Sequence, residues 1–442
     1  MLDNLFKMSK YQTTVKTEAL AGLTTFLATM YIIIVNPSII QQTGMPFNGV
    51  LTATILISAI SSIAMGLYAN NPIVLAPGMG INAFFTFSVV IGMKTPWPVA
   101  LGAVFWSGVI FLLLSVFNIR TLIVRAIPKQ LRFAIAGGIG LFITLIGFSN
   151  AGFVIANPAT IIGPGPINPI TLTFIFGLAL TAILVVYHVP GALIIGIAFT
   201  TIAAIPIGRL WGDASSINHG IGTLVTWQGL FEYPDFSLIF SLDLIGSLKL
   251  AMIPVIFCFL FTDMFDSLST LVGVAEAGDI KDKSGEPRNV KESLIVDSLA
   301  TTISGLLGTS SGTCYIESAT GIEQGGRTGL TAVVCGLLFI PFMFMSPLLS
   351  MVPSIATSTA LVLVGVFMMK PVADITWDEL DNAIPAFLSM ILIPLTYSIS
   401  QGIIWGFLSW TIIKLVTGKR HEVSGTLLAI DFFAILGMVA GP

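Results

Sequence analysis

Three of the 22 acidic residues, Asp263, Asp266 and Glu317, stand inside apolar stretches of the chain rather than in loops or at span ends. A carboxylate at such depth is costly to ionise unless water or hydrogen-bond donors reach it, which suits it to carrying a proton. Asp263 and Asp266 lie in Phe261-Thr262-Asp263-Met264-Phe265-Asp266-Ser267-Leu268-Ser269-Thr270. Positions 263, 266, 267 and 270 follow i, i+3, i+4, i+7 spacing, so two carboxylates and two hydroxyls share one helical face. No Lys or Arg lies at comparable depth to pair with them. The competing reading of the pair is structural: capping a helix break or bonding neighbouring backbone. Glu317 belongs to Thr309-Ser310-Ser311-Gly312-Thr313-Cys314-Tyr315-Ile316-Glu317-Ser318-Ala319-Thr320-Gly321, a hydroxyl-rich stretch with two glycines between apolar segments. Its polar groups would have no partners in lipid, and it is too broken for an ordinary spanning helix. Such a segment at membrane depth has the character of a transporter's substrate site.

A second broken stretch reads Ala76-Pro77-Gly78-Met79-Gly80-Ile81-Asn82-Ala83-Phe84-Phe85. Gly78 and Gly80 carry no side chain, so backbone amides can approach a ligand or a facing strand. Asn82 offers two donors and an acceptor, enough to read the edge of a planar heterocycle. Phe84 and Phe85 have the shape to stack on a flat ring. Gly-rich packing between spans is the competing reading; the matching position of the Glu317 stretch favours a site. Glu18 opens the first span, where a carboxylate suits the helix dipole. Arg327, in Gly325-Gly326-Arg327-Thr328-Gly329, reads as an interface anchor, and Asn36-Pro37 as a helix end.

The elements that position these residues are membrane spans. The chain has 442 residues, of which 55% are hydrophobic and 9% charged, with mean hydropathy +0.96; a soluble domain carries about 25% charged residues. The net charge of −3 says nothing useful about partners, and there is no basic run of the kind a nucleic-acid partner would require. Cys258, Cys314 and Cys335 sit in apolar stretches without CxxC spacing and are expected to be free thiols. The three histidines are far apart; no metal site and no cofactor are expected. No cleavable signal peptide is visible. Apolar segments of near-spanning length recur at 19–40, 51–68, 98–117, 133–148, 170–187, 192–207, 244–274, 294–307, 330–349, 355–369, 383–397 and 402–416. The broken stretches at 78–91 and 313–322 bring the total to fourteen. With a cytoplasmic N-terminus, fourteen spans leave only Lys94, Arg209 and Lys249 of the 19 basic residues outside; the inside set includes Arg120, Arg125, Lys129, Arg132 and Lys283. Fourteen divides into two sevens, with the broken stretches third in each, which points to an inverted repeat around a central site. A closing apolar piece, 427–439, reads as an interfacial helix.

Several motifs, in order along nearly the whole chain, resemble the AzgA-like purine permeases of the nucleobase–ascorbate transporter superfamily. They are Thr17-Glu18-Ala19-Leu20-Ala21-Gly22-Leu23-Thr24-Thr25-Phe26, Asn36-Pro37, Ala76 to Ala83, Thr262-Asp263-Met264-Phe265-Asp266, and Tyr315-Ile316-Glu317-Ser318 followed by Gly325-Gly326-Arg327-Thr328-Gly329. The resemblance implies an all-α integral membrane protein of fourteen transmembrane segments in two inverted seven-span repeats, with short extended strands in spans three and ten. It places core-domain spans at 17–118 and 244–349, gate-domain spans at 119–210 and 350–418, an external loop at 211–243 and a cytoplasmic tail at 419–442. It implies proton-driven import of hypoxanthine, guanine or adenine across the cell membrane, by a protein whose relatives are often homodimers. By motif match Asn82, Asp263 and Glu317 bind substrate and Asp266 supports them. Glu317 and Asp266 are the proton-coupling pair, and backbone donors come from near Phe84, Gly312 and Thr313. A same-fold carrier of another nucleobase or a small anion is the alternative. An intramembrane aspartyl enzyme is disfavoured, since Asp263 and Asp266 share one helix.

Overall fold

The computed structural model describes residues 2–117, 128–215, 221–278, 280–281, 287–425, 427–428 and 431. Arg120, Arg125, Lys283 and most of the 427–439 piece lie outside them. A chain this apolar must satisfy its backbone polar groups within each segment, and it does so with helices. α1 (Val15–Thr29) starts where the Thr14 hydroxyl accepts the Thr17 N–H at 3.2 Å. It breaks at Met30 and Tyr31 and resumes as α2 (Ile32–Ile40), with Pro37 inside. There follow α3 (Phe47–Ala64), β1 (Leu75–Pro77), α4 (Met79–Ala83), α5 (Trp97–Val116) and α6 (Lys129–Asn150). A hairpin of β2 (Val154–Asn157) and β3 (Ile161–Pro164) leads to α7 (Pro169–Val186) and α8 (Ala192–Ala204). The second half runs through α9 (Ile253–Gly278), α10 (Val290–Leu307), β4 (Gly312–Cys314), α11 (Ser318–Glu323), α12 (Gly329–Phe339), α13 (Ser354–Met368), α14 (Leu380–Thr396) and α15 (Ile399–Val416).

Among the described residues, 8 helical stretches are long and apolar enough to cross a membrane. Four shorter apolar ones accompany them, Met79–Gly92, Ala192–Ala204, Gly329–Phe344 and Leu380–Thr396. The helices pack as two groups. One contains α1 to α5 and α9 to α12; the other contains α6 to α8 and α13 to α15. Inside the first group β1 pairs antiparallel with β4, Leu75 opposite Cys314, Ala76 opposite Thr313 and Pro77 opposite Gly312.

Gly78 is needed here. Its N–H donates to the Ser311 carbonyl at 3.0 Å, and a Cβ at this position would sit 2.6 Å from Thr313 Cγ2, which the paired backbones cannot accommodate. Gly80 plays the same part toward Ile139 of α6, whose Cγ2 would lie 2.6 Å from an added Cβ.

Glu18 does more than complement its own helix dipole. It is fully buried and accepts from the Arg327 N–H at 2.9 Å, the Thr328 N–H at 3.2 Å and the Thr331 hydroxyl at 2.6 Å, pinning α1 to the start of α12. Arg327 in turn donates to the carbonyls of Ile322 and Gly326. Glu18→Ala orphans two buried amide donors at about 1–3 kcal/mol each. The purified variant is expected to lose several degrees of melting temperature; an unchanged melting curve would remove Glu18 from the packing account.

Candidate functional site

The β1–β4 pair is the floor on which the polar residues converge. α4 leaves β1 directly and carries Asn82, which is fully buried. Its Nδ2 donates to Asn36 Oδ1 at 3.0 Å, and Asn36 donates onward to the hydroxyls of Thr54 (2.7 Å) and Thr309 (2.9 Å). The Asn82 carbonyl oxygen has no partner. Phe84 and Phe85 are also fully buried, and their rings turn onto Phe259 of α9 at centroid distances of 4.8 and 6.5 Å. They form an aromatic wall with Phe259 rather than two free faces.

On the other side of β4, α9 presents the face expected from its spacing. Asp263, Ser267 and Thr270 are buried and Asp266 is half-buried. Asp263 Oδ2 accepts from the Thr301 hydroxyl of α10, which also reaches the Gly312 carbonyl at 3.0 Å. Asp263 Oδ1 has no partner. Ser267 and Thr313 share a hydroxyl contact of 2.8 Å, and Thr313 reaches Asp266 Oδ2 at 3.5 Å. Glu317 stands just before the start of α11, half-buried, with the Tyr31 hydroxyl donating to its Oε1 at 2.8 Å. That contact comes from the α1–α2 junction, where Met30 and Tyr31 keep right-handed helical angles. Tyr315 ties the two broken stretches together, its hydroxyl donating to the Pro77 carbonyl at 2.5 Å.

The structure thus gathers Asn82, Asp263, Asp266, Gly312, Thr313 and Glu317 around one strand pair, with Phe84 in the wall beside it. Buried polar atoms are normally hydrogen-bonded. Near the pair, the Asn82 carbonyl, one oxygen each of Asp263 and Asp297, and the hydroxyls of Ser310 and Ser311 have no protein partner. Those atoms keep unused hydrogen-bonding capacity.

Sequence reasoning missed Tyr31, Thr301 and Asp297. Asp297, assigned to a span end, is fully buried on α10, takes a 3.8 Å contact from the Cys314 thiol, and lies within electrostatic reach of Asp263. Its signal was present: Ser293, Asp297, Thr301 and Ser304 form one polar helical stripe, all fully buried. Nothing in the sequence marks Tyr31, which lies in an apolar run.

Asn82→Ala removes the bond to Asn36 and the unpartnered carbonyl. Ligand affinity is expected to fall about 5- to 150-fold, the equivalent of about 1–3 kcal/mol, with little change in expression. Wild-type affinity in the folded variant would take Asn82 out of the site.

The fold matches that of solved membrane transporters. The transmembrane domain of the cyanobacterial bicarbonate transporter BicA superposes with a TM-score of 0.65 at 13% identity, covering 88% of this chain and 97% of that one. SLC26A9 gives 0.64 at 11% identity, over 94% and 68%. At these identities the likeness is one of fold. The family model described as "Permease family", Xan_ur_permease, matches residues 16–404, and the chain belongs to that family. Adenine permease AdeP of Escherichia coli strain K12 is 40% identical over 99% of this chain and 96% of its own length. Guanine/hypoxanthine permease PbuO of Bacillus subtilis strain 168 is 40% identical over 98% of each.

Proposed function

We propose that the chain imports purine nucleobases, hypoxanthine, guanine and/or adenine, by proton-coupled alternating access. The observation that carries this reading is the set of unpartnered buried acceptors, Asn82 Oδ1 and Asp263 Oδ1, flanking the strand pair beside the half-buried acids Asp266 and Glu317. A purine ring offers N–H donors to those acceptors, whereas the backbone donors expected near Phe84 and Gly312 are already engaged, the Phe84 N–H by the Gly80 carbonyl and the Gly312 N–H by the Ser304 hydroxyl at 3.0 Å. Asn82 and Asp263 hold the base, Glu317 both contacts it and exchanges the proton, and Asp266 supports the carboxylate set. The names of the 40%-identical adenine and guanine/hypoxanthine permeases support the cargo class.

In this reading the chain crosses the cell membrane fourteen times, with both termini cytoplasmic. The 8 long stretches and the four shorter ones are joined by α10 and by the β4–α11 unit. The group holding the strand pair is the core domain, from spans at 17–118 and 244–349. The other group is the gate, from spans at 119–210 and 350–418, and the protein works as a homodimer. A small-anion cargo fits poorly, because an anion would meet Asp263, Asp266 and Glu317 at close range.

The test is uptake of labelled hypoxanthine by cells expressing the chain, in competition with adenine, guanine, xanthine and uracil. At least one other purine is expected to compete strongly and uracil weakly. Uracil competing as well as hypoxanthine itself would contradict the purine assignment.

A further inference from the structure

The site is not equally accessible from its two ends. Asp266 and Glu317 are half-buried, and Ile316 beside Glu317 is 46% exposed, so the site is less covered at this end. Away from that end the helix begun by α4 continues through Phe84–Gly92, and Phe87 lies about one turn beyond Phe84. There three rings from three elements meet edge-on. Phe87 and Tyr397 are 6.2 Å apart at 85°, Phe142 and Tyr397 are 5.1 Å apart at 89°, and Phe87 and Phe142 are 6.3 Å apart at 83°. Phe87 belongs to the helix group that holds the strand pair, Phe142 to α6, and Tyr397 to the turn joining α14 and α15.

We propose that Phe87, Phe142 and Tyr397 form the seal that closes the site on the side away from Glu317, and that it opens by Tyr397 and Phe142 parting from Phe87. This rests on the alternating-access reading above. Phe142 is fully buried while Tyr397 is 38% exposed, so the cluster runs from the interior toward the surface, as a plug must. The Ser88 hydroxyl donates to the Tyr397 carbonyl at 3.0 Å, a second tie between the two helix groups at the same place. Tyr397 has φ 54°, a left-handed conformation that a non-glycine residue holds only where its surroundings impose it. Such a position can release strain when its contacts break, which suits a hinge. Edge-on ring contacts exclude water yet are individually weak, so the seal holds and parts without breaking a covalent or ionic lock. The placement of basic residues makes this the external side.

The test uses the full chain with Phe87→Cys and Tyr397→Cys introduced together. Cys258, Cys314 and Cys335 are buried, and the unsubstituted chain treated in parallel sets their background. A short bis-methanethiosulfonate, which joins the two thiols through disulfides, is expected to link the pair, abolish hypoxanthine uptake, leave hypoxanthine binding in detergent intact and release its block on reduction. The single-cysteine variants should show none of this. Failure to cross-link, or undiminished uptake after cross-linking, would overturn the seal. A third cysteine, Ile316→Cys, gives a readout independent of cargo. In the linked protein a membrane-impermeant maleimide should label it from the cytoplasmic side alone, and equal labelling from both sides would also overturn the proposal. If the unlinked protein neither binds nor carries hypoxanthine while one-sided labelling holds, the purine reading fails and the seal stands.

Discussion

Glu317→Gln is expected to abolish accumulation of purine against its gradient while leaving part of the binding. The amide is nearly isosteric and still accepts the Tyr31 hydroxyl, which lies 2.8 Å from Oε1 in the native protein. Local geometry should therefore survive. What the amide cannot do is gain and lose a proton across the transport cycle. Without that exchange, a proton gradient has no means of driving the cargo uphill, and only equilibration remains. Proteoliposomes under an inward proton gradient should show uptake that stops at equal concentrations on the two sides. Concentrative uptake equal to wild type would remove Glu317 from coupling.

The second large effect separates Asp263 from Asp266, about 4.5 Å apart along the α9 axis. Asp263 is fully buried, with one oxygen held by Thr301 and the other unpartnered. Asp263→Asn replaces the carboxylate that carries this unpartnered oxygen and, if the proposed site holds, is expected to weaken purine binding about 10- to 150-fold, the range for hydrogen bonds to charged groups. Asp266 is half-buried and touches Thr313 only at 3.5 Å. Asp266→Asn should slow transport more than it weakens binding. Calorimetry on both purified variants, beside uptake rates, decides between these roles. Binding lost in Asp266→Asn and kept in Asp263→Asn would exchange them. Normal binding and transport in both would make this face of α9 structural.

The helical class was legible because burial in an apolar medium leaves a chain few ways to satisfy its backbone. The two glycine-broken stretches stood out because polar, side-chain-poor segments have no reason to interrupt apolar runs unless they face something other than lipid. The strands lie in those stretches, and Gly78 meets Ser311 and Thr313 across the pair. The i, i+3, i+4, i+7 face of α9 was equally readable, since periodicity alone puts Asp263, Asp266, Ser267 and Thr270 together. Long-range partnerships were not. That Thr301 reaches Asp263, that Tyr31 reaches Glu317, and that Phe84 rests on Phe259 depend on how helices distant in sequence pack. Glu18 is the clearest case. A carboxylate at a helix start has an adequate local explanation, and nothing nearby in sequence reveals that its real partners are Arg327, Thr328 and Thr331.

The central claim, a proton-driven purine carrier, is tested most directly with the purified chain reconstituted into vesicles, loaded with labelled hypoxanthine outside and an inward proton gradient imposed. The account predicts transient accumulation above the external concentration, abolished by a protonophore, with the hypoxanthine recovered chemically unchanged. Accumulation that ignores the protonophore and follows a sodium gradient instead, or no entry of hypoxanthine, adenine or guanine at all, would contradict it.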